Sequence, residues 1–308
     1  SAASDVYKRQ LEYLYDGVPL FRYVYRPRTP QLESPKPYFY PLHTLSGNPV
    51  SIFRPIDHLW HHGLAMTFAE LSGENFWGGP TYVRDQGYRQ LQNNGTQRHL
   101  AWTDVRLDEG RPHLREQLEW VTQSGQTWLA EERTIDATCV PSAQADVELG
   151  CWVLSFQTRL TNCSGKTLDF GSPTTNGRPA AGYGGLFWRG PRCFTRGRIL
   201  LADGTEGEED AMGQRSPWLA YYGRHDVSGD ASTILFVDDP SNPRYPTQWF
   251  ARHGYAATVS FALTFDEEYH LSDGETLALA HRIIFADGEW SVPQIEAFNA
   301  SDAVGAQS

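Results

Sequence analysis

The sequence predicts an all-β protein, one large antiparallel sandwich with few short helices. Three observations lead there. Short runs of alternating apolar and polar residues recur along the chain, separated by turn signals. Gly or Pro interrupts nearly every window long enough for a helix. Aromatic residues make up 13% of the 308 residues, a load suited to pleated, half-buried surfaces. Strands spaced by turns without intervening helices imply a sandwich or barrel.

Taken in order, Phe21–Arg26 alternates and stops at Pro27, and Arg28–Pro37, with three further prolines, reads as a loop. Tyr38–Pro41 and Val50–Phe53 flank a turn at Ser46-Gly47-Asn48, and Gly63–Phe68 forms the next strand. The clearest hairpin is Leu114–Thr122, a turn at Gln123–Gly125, and Gln126–Asp136. There Leu118, Trp120, Trp128 and Ile135 alternate with charged residues, as in a sheet with one wet face. Trp152–Leu160, Thr167–Phe170, Thr233–Val237, Ala257–Phe265 and Thr276–Phe285 complete the strands, the last pair joined through Asp273-Gly274; Pro293–Ala300 is the one helical stretch. The acidic run Glu206–Asp210 reads as an exposed loop.

No internal repeat or linker appears, so residues 11–300 are expected to form one domain, with 301–308 as a disordered tail. Ser1–Gln10 has no apolar core and does not read as a signal peptide; it resembles translated adapter sequence, a non-native scar or a disordered tail. The expectation that follows is a cytoplasmic protein, with the native N-terminus left open.

Composition narrows the function classes. With 26 basic against 37 acidic residues, the formal charge of −11 argues against binding a phosphate backbone, so no nucleic acid partner is expected. No run approaches the length of a spanning helix, so no membrane partner is expected either. Cys139, Cys151, Cys163 and Cys193 lack CxxC spacing, and Cys151 and Cys163 read as buried small hydrophobes.

Asp57-His58-Leu59-Trp60-His61-His62-Gly63 is the sharpest local feature. Imidazole titrates near neutrality and its neutral form binds metals, so His58 and His61 are candidates for acid/base catalysis or for a divalent metal. In an extended segment His58, Trp60 and His62 would share one face and Asp57 and His61 the other, letting Asp57 orient His61. His43 is a candidate assistant. Trp77 beside Gly78 and Gly79 is a candidate platform for a sugar ring; Arg178 and Tyr183 lie in a Gly-rich stretch that lacks the Lys-Ser/Thr of a phosphate loop. Arg244 and Trp249, in the proline-rich segment Asp238–Trp249, are further contact candidates. Adjacent Asp238 and Asp239 read as a turn entry rather than a cation site. Neither Gly-x-Ser-x-Gly nor a dinucleotide fingerprint occurs.

Tyr23–Pro27, Tyr40–His43, Asp57–Gly63 with Phe76-Trp77, Thr175–Gly185 and Asp239–Arg244, in that order, resemble the bacterial PmoA-like family from about Tyr13 to Phe298. The family stretch Asp-His-Pro-His-His-Arg-Gly is matched at Asp57, His58, His61 and Gly63 and departs at Leu59, Trp60 and His62, which points to His58 and His61 as the core pair. The literal methane-oxidising sense of that name does not fit a chain without spanning helices. Leu271–Thr276 and the architecture are similar to galactose-mutarotase-like supersandwiches. Together these resemblances imply a small-molecule carbohydrate partner, and acid/base chemistry of epimerase, lyase or hydrolase type. The alternatives are a non-catalytic binding module and a structural or interaction protein.

Overall fold

The computed structural model describes residues 9–141 and 150–301. The turn-and-strand pattern resolves into two main antiparallel sheets. One has seven strands in the order Gln10–Tyr15, Val18–Val24, Tyr38–Leu42, Leu64–Phe68, Gly184–Arg189, Thr258–Phe261 and Trp249–Arg252. The other has eight, in the order Arg198–Leu201, Trp218–Arg224, Ala231–Asp238, Thr276–Asp287, Cys151–Asn162, Thr127–Val140, Arg111–Val121 and Thr96–Asp108. The two sheets pack face to face over one aromatic core. Phe21 stacks on Trp152 at 5.8 Å, Phe68 meets Trp120 at 6.0 Å and Trp188 meets Phe236 at 5.6 Å. The fold is therefore an all-β sandwich.

Period-two alternation decides what each strand offers. In Cys151–Asn162, Trp152, Leu154 and Phe156 enter the main core, while Cys151 and Val153 face the outside of the eight-stranded sheet. That outer face is covered by the helix Val292–Ala300, whose Ile295 and Phe298 bury against Val153, Tyr222 and Ile284. In the seven-stranded sheet Leu64, Met66 and Phe68 point inward, and Ala65 and Ala69 point outward.

Several expectations change in the structure. Arg9 and Gln10, grouped by sequence with a tail, belong to the fold: Gln10 pairs with Val24, and the Arg9 carbonyl accepts from Tyr25 N. Residues 1–8 and 302–308 of the expected terminal segments lie outside the described residues. Val50–Phe53 forms no regular strand: it makes only an isolated bridge, Phe53 to His62, with the Ile52 amide donating to the Arg189 carbonyl at 3.1 Å. The run Glu206–Asp210 contains the helical turn Glu208–Ala211, and Glu208 accepts from Arg252 and from the His253 and Gly254 amides. Cys163 is exposed, while Cys151 is buried. Among the described residues, no helix is long and apolar enough to cross a membrane.

The hairpin expected to carry its charges on a wet face carries several of them inside. Glu116 shares its face with Leu114, Leu118 and Trp120; Glu131 and Arg133 share theirs with Leu129 and Ile135. Trp128 sits at a bulge, with the Lys166 ammonium 4.1 Å from its ring. The buried charges form a closed network. Arg133 donates to Glu131 through Nε and Nη2 at 2.8 and 2.9 Å, to the Tyr23 hydroxyl at 2.8 Å and to Gln97 at 3.2 Å. Tyr23, from the opposite sheet, donates to Glu116 at 2.5 Å, and Trp120 Nε1 and Thr158 donate to Glu131.

Removing one partner from such a network strands an unpaired charge in low dielectric, which costs about 3–5 kcal/mol. Arg133→Met is thus expected to lower unfolding stability in urea by that amount. The exposed pair Arg198–Glu206 is screened, so Arg198→Ala should cost less than about 1 kcal/mol in the same titration.

Candidate functional site

A cavity of about 300 Å³ opens on the outer face of the seven-stranded sheet. Its lining includes Phe187, Phe250, Arg252 and Thr258 from the sheet strands, with His58, Trp60, His61, Trp77, Tyr88, Arg178, Tyr183 and Tyr255 contributed from the segments around them.

The histidine segment is a turn rather than an extended strand. Pro55 starts it, His58 N donates to the Pro55 carbonyl at 3.0 Å, and His61 N donates to the His58 carbonyl at 3.0 Å. Residues three apart therefore come together: His58 and His61 stack with ring centroids 4.7 Å apart and planes at 21°. His62 turns inward, so the face-sharing expected from an extended chain does not hold. Nor does Asp57 orient His61. Its carboxylate accepts from His58 Nδ1 at 2.9 Å, Arg189 Nη2 at 2.8 Å and Arg192 Nη2 at 3.1 Å. Partial burial opposes ionisation of Asp57, but the hydrogen bonds from Arg189 and His58 outweigh it and bring the carboxyl to about 2.

His61 is oriented by Arg189, whose Nη1 lies 3.1 Å from His61 Nδ1. A guanidinium only donates, so Nδ1 is the acceptor and the ring proton sits on Nε2. Burial, reinforced by the charges of His58, Arg189 and Lys36, pushes the His61 ring well below the usual imidazole range. It stays neutral and offers Nε2–H as a donor, with no protein partner among the described residues. His58, held through Nδ1, lines the cavity and has no partner on Nε2 among the described residues.

Aromatic groups supply much of the wall. Trp77 packs on Tyr183 and Phe187 at 4.5 Å each, and His61 meets Phe187 edge-on at 4.7 Å. The glycines beside Trp77 serve Trp60 instead. A Cβ on Gly79 would lie 2.6 Å from the Trp60 indole, and Gly79 takes a φ of +69°, so the indole rests directly on bare backbone. The Tyr88 and Tyr183 hydroxyls share a hydrogen bond of 2.8 Å. Arg178 donates to the Tyr88 hydroxyl and lies 4.9 Å over that ring.

A buried latch fixes the turn from behind. Glu33 accepts from His62 Nε2 at 2.9 Å and from Arg54 Nη2 at 2.8 Å. Fully buried Lys36 donates to the carbonyls of Glu33, Ser34 and Trp77 at 2.9, 3.2 and 2.8 Å. Burial would raise the Glu33 carboxyl, but the bonds from His62 and Arg54 hold it below its ordinary value. Desolvation brings Lys36 down to about 7 and His62 to about 4.

The structure gathers His58, His61, Trp77, Arg178 and Tyr183 on one cavity, with Asp57 directly behind His58. It does not bring the others there. His43 Nδ1 bonds the Pro19 carbonyl at 2.7 Å, and the His43 carbonyl accepts from Trp152 Nε1 at 2.7 Å. Arg244 is spent on the carbonyls of Leu263, Glu267 and Glu268 at 2.7–3.0 Å. Trp249 is wholly buried in the core, donating to the Ser216 carbonyl at 2.9 Å. Both occur in a segment that braces neighbouring loops. As for a divalent metal, no three His, Cys, Asp or Glu residues among those described are grouped to hold one. Sequence reasoning missed Trp60 as a wall, Tyr88, Arg189, Glu33 and Lys36; the last two sit in a proline-rich loop where nothing distinguishes them from solvated charges.

A family model matches residues 10–299. The chain belongs to the family of unknown function DUF6807. No curated protein matches the sequence. Among solved structures it is similar to a variant GH36 α-galactosidase of Geobacillus stearothermophilus in complex with raffinose. That match has 11% identity over 92% of this chain and 41% of that one, with a TM-score of 0.40. A second variant of the same enzyme, in complex with stachyose, matches with 12% identity over 91% of this chain and 32% of that one, with a TM-score of 0.31. The chain spans less than half the length of each.

The latch makes a pH prediction. A histidine whose folded pKa is depressed contributes in full above the unfolded value near 6.5, and the contribution is lost as pH falls toward the folded value. For His62, lowered to about 4, this is on the order of 3 kcal/mol. His61 acts in the same direction. Urea titrations from pH 7.5 to 4.5 are expected to show stability falling steadily, and His62→Gln should remove a large part of that slope.

Proposed function

We propose that this chain is a carbohydrate-active protein that holds a sugar in the cavity above its seven-stranded sheet and moves a proton with His58. The observation that carries this reading is the meeting of stacking aromatic faces with an Asp-oriented imidazole. Trp60, Trp77, Tyr183 and Tyr255 offer flat apolar surfaces suited to the C–H faces of a sugar ring, and a few fixed polar groups suit its hydroxyls. The volume, about 300 Å³, suits one or two sugar residues.

Each polar group has a distinct part. Asp57 stays ionised, fixes the His58 tautomer and stabilises the imidazolium formed when His58 takes a proton through Nε2. His61, held neutral, donates from Nε2 to a substrate oxygen. No carboxylate pair lines the cavity among the described residues, so the paired-carboxylate route of most glycosidases finds no support here. Proton abstraction beside a carbonyl or anomeric centre, as in epimerisation or elimination, suits a single oriented base better. The PmoA-like and galactose-mutarotase-like resemblances of the sequence belong to the same class of reading and add no residue to it.

The test is a panel of monosaccharides and disaccharides incubated with the protein in D2O and followed by NMR. Bound substrate is expected to exchange a carbon-bound proton or to be converted. His58→Ala should slow this by about 100-fold or more while affinity changes only a few-fold. Binding without exchange or consumption would make the protein a non-catalytic sugar-binding module, and no binding by any sugar would overturn the reading.

A further inference from the structure

We infer that the cavity is built for a sugar that carries a carboxylate, with Arg178 as the residue that reads it; this rests on the carbohydrate reading above. The first observation is electrostatic. The chain has a formal charge of −11, yet the cavity lining contains no Asp or Glu among the described residues. The charged groups that line it, or whose side chains bond directly to lining residues, are the guanidiniums of Arg178, Arg189 and Arg252, the ammonium of Lys36, and the carboxylates of Asp57 and Glu208. An acidic protein has concentrated positive charge at one concave site. Fields at such low-dielectric walls favour an anion.

The second observation separates Arg178 from the other guanidiniums nearby. Arg189 and Arg192 are paired to Asp57, and Arg252 to Glu208 at 3.0 Å. Arg178 forms no ion pair among the described residues. Its partners are neutral, the Tyr88 hydroxyl and ring. Five guanidinium N–H donors are far more than one phenol oxygen satisfies, so the fork is free to meet a second acceptor. Its backbone is preset for this. The Arg178 amide donates to the Pro173 carbonyl at 2.9 Å, and the Ala181 amide donates to Thr174 Oγ1 at 2.9 Å, closing the loop around it.

A third observation points to a polyhydroxylated ligand beyond the anion. Thr258 Oγ1, on the lining, is buried without a hydrogen-bond partner, and His61 offers an unpaired Nε2–H. Buried hydroxyls are normally satisfied, so an orphan on a cavity wall is suited to a ligand hydroxyl.

A carboxylate fits the single free guanidinium better than a phosphate does. A carboxylate carries one charge and two coplanar oxygens, which a guanidinium meets with two parallel N–H bonds. A phosphate monoester carries about −1.5 to −2 near pH 7, more charge than one guanidinium offsets. The ligand class is therefore a uronic or aldonic acid, free or at the end of a short glycan.

The experiment uses the full chain in calorimetric or ligand-observed NMR titrations. Glucuronate and galacturonate are compared with glucose and galactose, with glucose 6-phosphate as a further probe. A uronate is expected to bind at least about tenfold more tightly than its neutral counterpart, with the margin shrinking as salt is added. Arg178→Gln should remove that margin, and Arg178→Lys should restore part of it. Unchanged circular dichroism and urea midpoints check that both variants fold. Neutral sugars binding as tightly as uronates, the phosphate binding more tightly than either, or a margin that survives Arg178→Gln would each overturn the inference and leave the carbohydrate reading standing. Binding by no sugar, charged or neutral, would overturn both.

Discussion

The candidate site depends on one buried carboxylate. Glu33 sits on a 3-10 turn in a proline-rich loop, yet it collects the side chains of His62 and Arg54, and its backbone carbonyl takes the Lys36 ammonium. Through these bonds the loop 31–36, the histidine turn and the Trp77 segment become one body. Lys36 ties Glu33 to the Trp77 carbonyl, and the Gly79 amide donates to Leu32 at 2.7 Å. Gly78 permits the contact, since a Cβ there would lie 2.6 Å from the Glu33 carbonyl oxygen. An unpaired carboxylate or ammonium in this position would face a large desolvation penalty, so each charge stays only because the others are present.

That latch sets the positions of His58 and His61 without touching either ring. It anchors His62, and the tight turn then carries the two preceding histidines over the outer face of the sheet. Arg189, at the end of a strand in that sheet, completes the arrangement from the other side by bonding both Asp57 and His61. The catalytic candidates are therefore held between a loop-borne anion and a strand-borne cation. Such two-sided support keeps imidazole geometry fixed in the absence of a ligand, the condition under which oriented groups are most effective.

The two buried polar networks divide the labour. Arg133, Glu131, Tyr23 and Glu116 join the two sheets through the core, far from solvent. Glu33, Lys36, His62 and Arg54 join loops to the outer face of one sheet. The first fixes how the layers face each other, the second what stands above one of them. The outer face of the seven-stranded sheet presents Phe187, Phe250 and Thr258 to the cavity, while the opposite outer face is filled by Trp218, Tyr222 and the C-terminal helix.

Much of the sandwich was legible in the sequence because strand periodicity is local. Alternation at Trp152–Leu160 and Thr276–Phe285, and the turn at Gln123–Gly125, depend on neighbours two residues apart, and the structure carries strands at those places. The histidine cluster was legible as a candidate for a similar reason, since its residues are close neighbours in the sequence. What sequence could not supply was which long-range polar partners each charge would find. Arg178 and Arg244 look alike in proline- and glycine-rich loops; one reaches a cavity with neutral partners, and the other is absorbed by three carbonyls. Trp60 and Trp249 are both indoles near turns; one lies on bare glycine at the cavity and the other fills the core. Local patterning by itself determined an all-β chain with a cluster of histidines. Only the tertiary structure decided which cations, anions and aromatic faces meet there, because those meetings join residues tens to more than a hundred positions apart and are set by how the sheets and loops pack.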